Sequence, residues 1–187
     1  MNAVDVPPTS VAVGTCSVRQ AAAGDRPALE RMLARCTGQT RYRRFHGPVK
    51  VFPERYLTEA LSGSPLHFAL VACRDAGGAE RDGTVAGGTV AGGTVAGGTV
   101  VALASCRAVD EGVAELGILV EDEWQRRGVG SDLLREIVAY AAKIGLRALQ
   151  AQVLADQPWI VGLLRRHGTC TITSAGQALY VTLSLPR

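Results

Sequence analysis

The chain is short of aromatic residues, which make up 5% of its 187 positions. A core for it must be built mostly from Val, Leu and Ala. It also lacks a strong charge of either sign: 20 basic and 17 acidic residues leave a net +3. That balance is too mild to make nucleic acid the main partner. The cysteines Cys16, Cys36, Cys73, Cys106 and Cys170 are odd in number and widely spaced, and no CxxC or Cys/His cluster occurs. This pattern argues against a disulfide framework or a metal site and fits a reducing cytoplasm, with each cysteine a small buried hydrophobe. No basic segment followed by an apolar run opens the chain, so no secretory signal is read.

Charge is missing altogether from Gly83 to Cys106, a length that raises the question of a membrane. Seven glycines and four threonines within it make a poor spanning helix, so no membrane partner is expected. The run holds a repeat of Gly-Thr-Val-Ala-Gly with a period of five. An odd period turns successive valines to opposite faces of a strand, and so few pentads cannot form a solenoid core. The expected reading is an expanded hairpin insertion at about 75–98.

The length fits a single domain with a core of its own. Residues 1–15, with Pro7 and Pro8, read as a loose lead-in, and 16–187 as the domain. Ser17 to Arg19 predicts a short strand. Asp25 can cap a helix with Pro27 in its first turn, carrying Leu29, Met32, Leu33 and Cys36, and Thr37-Gly38 ends it. Pro53 opens a second helix. Leu66–Cys73, Val100–Ala108 and Val113–Val120 predict strands, the first buried on both faces. A turn, Trp124–Gly130, precedes an amphipathic helix from Leu133 to Ile144. Ala148–Leu154 is a strand, Pro158 starts another helix, and Thr169–Thr173 with Ala178–Leu185 form a terminal pair. The fold class is α/β (α+β), with helices covering a central sheet.

Chemistry concentrates between 114 and 168. Gln125-Arg126-Arg127-Gly128-Val129-Gly130-Ser131 joins an apolar strand to a helix. Glycines permit a tight turn, and the free N–H groups of a helix start favour an anion. Arg126 and Arg127 add positive charge, so pyrophosphate is the natural guest. Glu115 lies on the strand before the turn among apolar neighbours, where a carboxylate can take a proton from an ammonium. Glu111 and Asp110 are the next candidates. Between Arg31 and Lys50 there is no acidic residue, and Arg41, Arg43 and Arg44 make this stretch either a solvated face or the wall of an acceptor site.

The stretch Gln125 to Gly130 resembles the acetyl-CoA loop, Q/R-x-x-G-x-G/A, of the GCN5-related N-acetyltransferases (GNAT). The resemblance extends over most of 16–185 and is sharpest over 113–168. It implies a mixed, mostly antiparallel sheet of about seven strands flanked by about four helices, with acetyl-CoA as co-substrate and no metal. By position it implies that Gln125, Arg126, Arg127, Gly128, Val129, Gly130 and Ser131 hold the pyrophosphate. It further implies that Ile118, Leu119 and Val120 line the pantetheine and offer N–H groups to the thioester carbonyl. Where the family often has Asn, this chain has Asp156-Gln157-Pro158, with Gln157 as the replacement. No tyrosine follows Gly168-Thr169 where many members keep a general acid, and Tyr180 is too distant, leaving water or Cys170.

Thr40 to Pro48 resembles a segment of the bacterial protein lysine acetyltransferase branch, as does the strand Ala114 to Val120. The implied reaction is acetyl transfer to a primary amine, a protein lysine or a small molecule, with Glu115 as base. A non-catalytic acyl-CoA-binding regulatory domain on the same fold is the alternative. No nucleic-acid partner is expected, the location is cytoplasmic, and the oligomeric state stays open, a dimer included.

Overall fold

The computed structural model describes residues 11–13, 16–74 and 98–186. Eight strands form one sheet in the order β1-β2-β3-β4-β5-β6-β8-β7. They are β1 (Val11–Val13), β2 (Cys16–Gln20), β3 (His67–Arg74), β4 (Thr99–Asp110), β5 (Val113–Val120), β6 (Ala148–Leu154), β7 (Cys170–Ala175) and β8 (Ala178–Ser184). Five helices accompany them: α1 (Arg26–Arg35), α2 (Gly38–Phe45), α3 (Glu54–Ala60), α4 (Val129–Lys143) and α5 (Trp159–Arg165). Every neighbouring pair of strands is antiparallel except β5 with β6. The mixed, mostly antiparallel sheet is the one expected.

The extra strand, β1, lies inside the stretch read as a lead-in. Val11, Ala12 and Val13 pair with Val18, Ser17 and Cys16, so the sheet edge begins before residue 16. The extra helix is α2. Thr37-Gly38 does end α1, but Thr37 also starts α2, its Oγ1 accepting the Thr40 N–H at 3.2 Å. Asp25 does not cap α1 with its side chain. Its carboxylate instead accepts both guanidinium nitrogens of Arg19, at 2.7 and 2.6 Å, and the Ala22 N–H at 2.9 Å. The repeat of the expected insertion lies mostly outside the described residues. The strands on either side of it, β3 and β4, pair antiparallel up to Arg74 opposite Thr99.

The sheet is covered on both faces. On one, Leu133, Leu134, Ile137 and Ala141 of α4 pack against Phe68, Leu70, Ala104 and Leu116, and α5 adds Val161 and Leu164. On the other, Leu29, Met32 and Leu33 of α1 and Leu57 of α3 pack on Val71, Leu103 and Leu119. Fully burying each such side chain stabilises the fold by about 2 kcal/mol. Both faces of β3 and β4 are therefore buried, as their near-continuous apolar runs require. Cys16, Cys36, Cys73 and Cys106 sit in these cores, and Cys170 is half-buried. No helix among the described residues is long and apolar enough to cross a membrane.

One break in the sheet positions the candidate site. β5 and β6 pair through only three residues each, ending at Glu115 opposite Gln150. β5 then continues along β4 to Val120, while β6 continues along β8 to Leu154. The two central strands diverge, and a cleft opens through the middle of the sheet.

Candidate active site

The backbone of β5 faces this cleft with a definite alternation. The Glu121 N–H donates to Val101 O at 2.9 Å, across to β4. Strand geometry then directs the N–H groups of Leu119 and Gly117 to β4 and those of Ile118 and Val120 to the cleft. Ile118 and Val120 thus offer donors where β6 no longer pairs. Leu119, expected with them, is turned away: its side chain is buried against α1 and α3, and its amide belongs to the β4 ladder.

At the end of β5 the chain turns into α4. Gln125 Nε2 donates to Val120 O at 3.0 Å and to Thr40 Oγ1 at 3.1 Å, so this side chain fastens the turn to β5 and α2. Gly128 has φ of 89°, in the left-handed region that only glycine enters without strain. The first α-helical bond of α4 runs from Asp132 N–H to Gly128 O at 3.0 Å. The N–H groups of Val129, Gly130 and Ser131 therefore have no partner within the helix. Arg126 and Arg127 are exposed beside them, Arg127 stacked over the Trp124 ring at 5.3 Å. The Val129 side chain goes into the core. The turn brings together backbone donors and two guanidinium groups, an arrangement that favours an anion.

A cavity of about 570 Å³ occupies the divergence of β5 and β6, reaching Gly117 and Ile118 on one side and Val153 and Gln157 on the other. Gln157 is buried, and its Nε2 has no hydrogen-bond partner in the protein. A buried amide nitrogen without a partner is costly, and this residue lines the cavity wall. It lies two residues before the start of α5.

Strand register also sets a polar row, of which His67, Arg107 and Glu115 line the cavity. His67 on β3, Arg107 on β4, Glu115 on β5 and Gln150 on β6 are successive cross-strand partners and share one face. Arg107 donates to Glu115 Oε2 at 2.6 Å. The Glu115 side chain is 48% exposed, against the expectation of apolar surroundings. The alternation along β5 explains the difference, because Ala114 and Leu116 turn to the opposite, α4 face. Glu111 and Asp110, the alternative carboxylates, sit at the β4–β5 turn, where Asp110 Oδ1 accepts the Glu111 N–H at 2.7 Å. Cys170 is on β7, its Sγ 3.9 Å from Gly168 O. None of these three lines the cavity.

One step along the same face, Ser105 pairs with Gly117. Above them α2 and α3 set Arg44 and Tyr56. Arg44 donates to Tyr56 Oη at 3.0 Å and to Ser105 Oγ at 3.3 Å, and Tyr56 Oη and Ser105 Oγ are 2.9 Å apart. Glu59 reaches Arg55 at 2.6 Å and His67 Nδ1 at 3.4 Å, the latter without hydrogen-bond geometry. Burial pushes His67 below the ordinary histidine value, and Glu59 opposes the shift. Sequence reading marked Arg44 within a basic run but missed Tyr56, Glu59, His67 and Ser105. A signal was present in Ser105 and Arg107, the two polar residues of the otherwise apolar strand Val100–Ala108.

Among the described residues no group of three or more His, Cys, Asp or Glu side chains is placed to hold a metal ion. In comparison with known proteins, the model of the acetyltransferase (GNAT) family matches residues 50–169. No curated protein matches the chain. Among solved structures, the GNAT domain of S. lividans PAT superposes with a TM-score of 0.71 at 22% identity, covering 92% of each chain. A GCN5-related N-acetyltransferase from Kribbella flavida gives 0.59 at 18%, covering 90% of this chain and 96% of its own. A cAMP-binding acyltransferase from Mycobacterium smegmatis gives 0.56 at 23%, covering 96% of this chain but 47% of its own. At these identities the likeness is one of fold. With a family model matching well over half of its length, from before α3 to the start of β7, the chain belongs to the GNAT acetyltransferase family.

Proposed function

We propose that this protein transfers an acetyl group from acetyl-CoA to a primary amine, either a small molecule or a protein lysine. The observation that carries this reading is the divergence of β5 from β6 between an anion cradle and a polar pocket. Gln125, Arg126, Arg127, Gly128, Val129, Gly130 and Ser131 would receive the pyrophosphate, by backbone donors and the two arginines. Ile118 and Val120 would hold the pantetheine arm and the thioester oxygen, with Gln157 opposite them.

The chemistry needs no enzyme-bound intermediate. The neutral amine attacks the thioester carbonyl carbon, a C–N bond forms and the C–S bond breaks. One proton leaves the nitrogen and one is taken up by the departing thiolate. Glu115 would accept the first, directly or through water, with Arg107 holding its carboxylate in place. Water would supply the second, since Cys170 does not line the cavity.

The pairing of Glu115 with Arg107 favours one other reading, an acyl-CoA-binding domain without transferase activity. Adding acetyl-CoA in a thermal-unfolding series, followed by thiol release over a panel of amines, separates the two. A rise in Tm together with thiol release is the expected result. A rise in Tm with no transfer to any amine supports the binding domain, and no rise at saturating acetyl-CoA overturns both.

A further inference from the structure

The polar pocket carries more positive charge than it uses. Its walls hold Arg43, Arg44, Arg55 and Arg107 against two carboxylates, Glu59 and Glu115. Both carboxylates are already taken, Glu59 by Arg55 and Glu115 by Arg107. Arg43 reaches Asp156 at 3.6 Å. Among the described residues Arg44 has no carboxylate within reach.

Arg44 is nonetheless held in place. It is partly buried, its guanidinium is 4.9 Å from the Phe45 ring centroid and 5.3 Å from that of Tyr56, and two hydroxyls accept from it. Gly117 supplies the room: a Cβ on that residue would overlap the guanidinium. A partly buried guanidinium fixed against neutral acceptors has electrostatic capacity left over, and a planar carboxylate is the group that fits its fork. Tyr56 and Ser105 stand beside it as further donors. The pyrophosphate cradle does not account for it. Gly117 lies three residues before the end of β5, about 10 Å back along the strand, and the cradle begins beyond that end.

We infer that Arg44, Tyr56 and Ser105 form a carboxylate subsite, so that the acceptor is a free amino acid presenting its amine to Glu115 and its carboxylate to Arg44. This rests on the acetyltransferase reading for the amine, but the subsite is a property of the pocket and can be tested by binding alone. The same excess of positive charge works against polyamines and lysine-rich peptides, which bring further cations into the cavity. The aromatic and apolar walls, Phe45 and Ile160 among them, leave space for a side chain of the acceptor.

The test uses the whole chain in two measurements. Calorimetry with and without CoA compares N-acetylalanine, N-acetylmethionine and N-acetylglutamate with their carboxamides. Steady-state assays with acetyl-CoA compare the matching free amino acids with their amides and with an acid-flanked lysine peptide. A preference of at least about tenfold for the carboxylate forms is expected in both, carried by KM in the assay. It should collapse towards unity in Arg44→Gln. Gly117→Ala keeps all backbone bonds and displaces only the end of a flexible side chain, so it should fold and lose the same preference.

Equal binding of acids and amides to the wild type overturns the subsite, even if acetyl transfer proceeds. So does a preference that survives in both variants, or a lysine peptide better than every free amino acid. Carboxylate preference in calorimetry with no turnover of any amine supports the subsite and removes the transferase reading instead.

Discussion

Glu115 and Arg107 face each other across β4 and β5 at 2.6 Å, so under the proposed function the amine's proton would pass into an ion pair. Glu115→Gln keeps size and hydrogen bonding but cannot accept that proton. Its expected effect is a fall in kcat of about 10²- to 10⁴-fold with the Kd for acetyl-CoA within about twofold of wild type. Thiol release and calorimetry read the two quantities separately. Wild-type turnover at neutral pH would place the base elsewhere. At this scale the sequence places Glu115 on the strand where the structure has it, yet misjudges its surroundings. Apolar neighbours along a strand lie on the other face, and what surrounds a strand side chain comes from adjacent strands. His67, Arg107 and Glu115 become neighbours only through the register of β3, β4 and β5, which no local pattern in the chain displays.

Among the elements, α2 escaped sequence reading because it has no apolar stripe. Of Gly38–Phe45 only Thr40 is buried. Helices of this kind are held by tertiary contacts rather than by their own periodicity. Asp122, in the turn after β5, accepts the Thr37 N–H at 2.8 Å, Thr37 Oγ1 at 2.8 Å and Thr40 Oγ1 at 2.7 Å. Burial alone would raise its carboxyl, but these donors outweigh burial and hold it below the usual range. Thr40 in turn accepts from Gln125. The helix bearing Arg44 and the turn after β5 are therefore joined through the Asp122 carboxylate and the Gln125 amide. Asp122→Ala strands three donors and should cost about 2 kcal/mol in urea unfolding. Because both sites hang on this junction, KM for acetyl-CoA and for the amine should rise together. A change in only one of them would show that α2 and the cradle are independently held. The strands other than β1, and α4, are by contrast readable from the chain, since buried apolar runs and a helical stripe are local signals.

Across the whole molecule, buried titratable groups set a window of pH stability. Burial lowers His67 and His167, the latter also through the cations of Arg135 and Arg166. The unfolded chain takes up protons on these histidines near pH 6.5, which the folded protein resists, so stability falls as pH drops below that point. Asp25, like Asp122, is held low: burial would raise it, but Arg19 and the Ala22 N–H prevail. Its contribution is intact above about pH 4 and is lost only below that, so the limb between about pH 6.5 and 5 belongs to the histidines. On the alkaline side burial pushes the Cys36 thiol up to about 12, and burial raises Cys106 as well. Unfolded thiols ionise near pH 8.5 while the folded ones stay neutral, so stability declines again from there towards pH 12. Urea midpoints measured from pH 5 to 10 should therefore peak between about pH 7 and 8. His67→Gln should flatten the acid limb without moving the alkaline one, and Cys36→Ala should do the reverse. An acid limb unchanged in His67→Gln would mean that the charged form of this histidine is accommodated in the fold. The positive pocket around it, with Arg44 and Arg107 close by, opposes such an outcome.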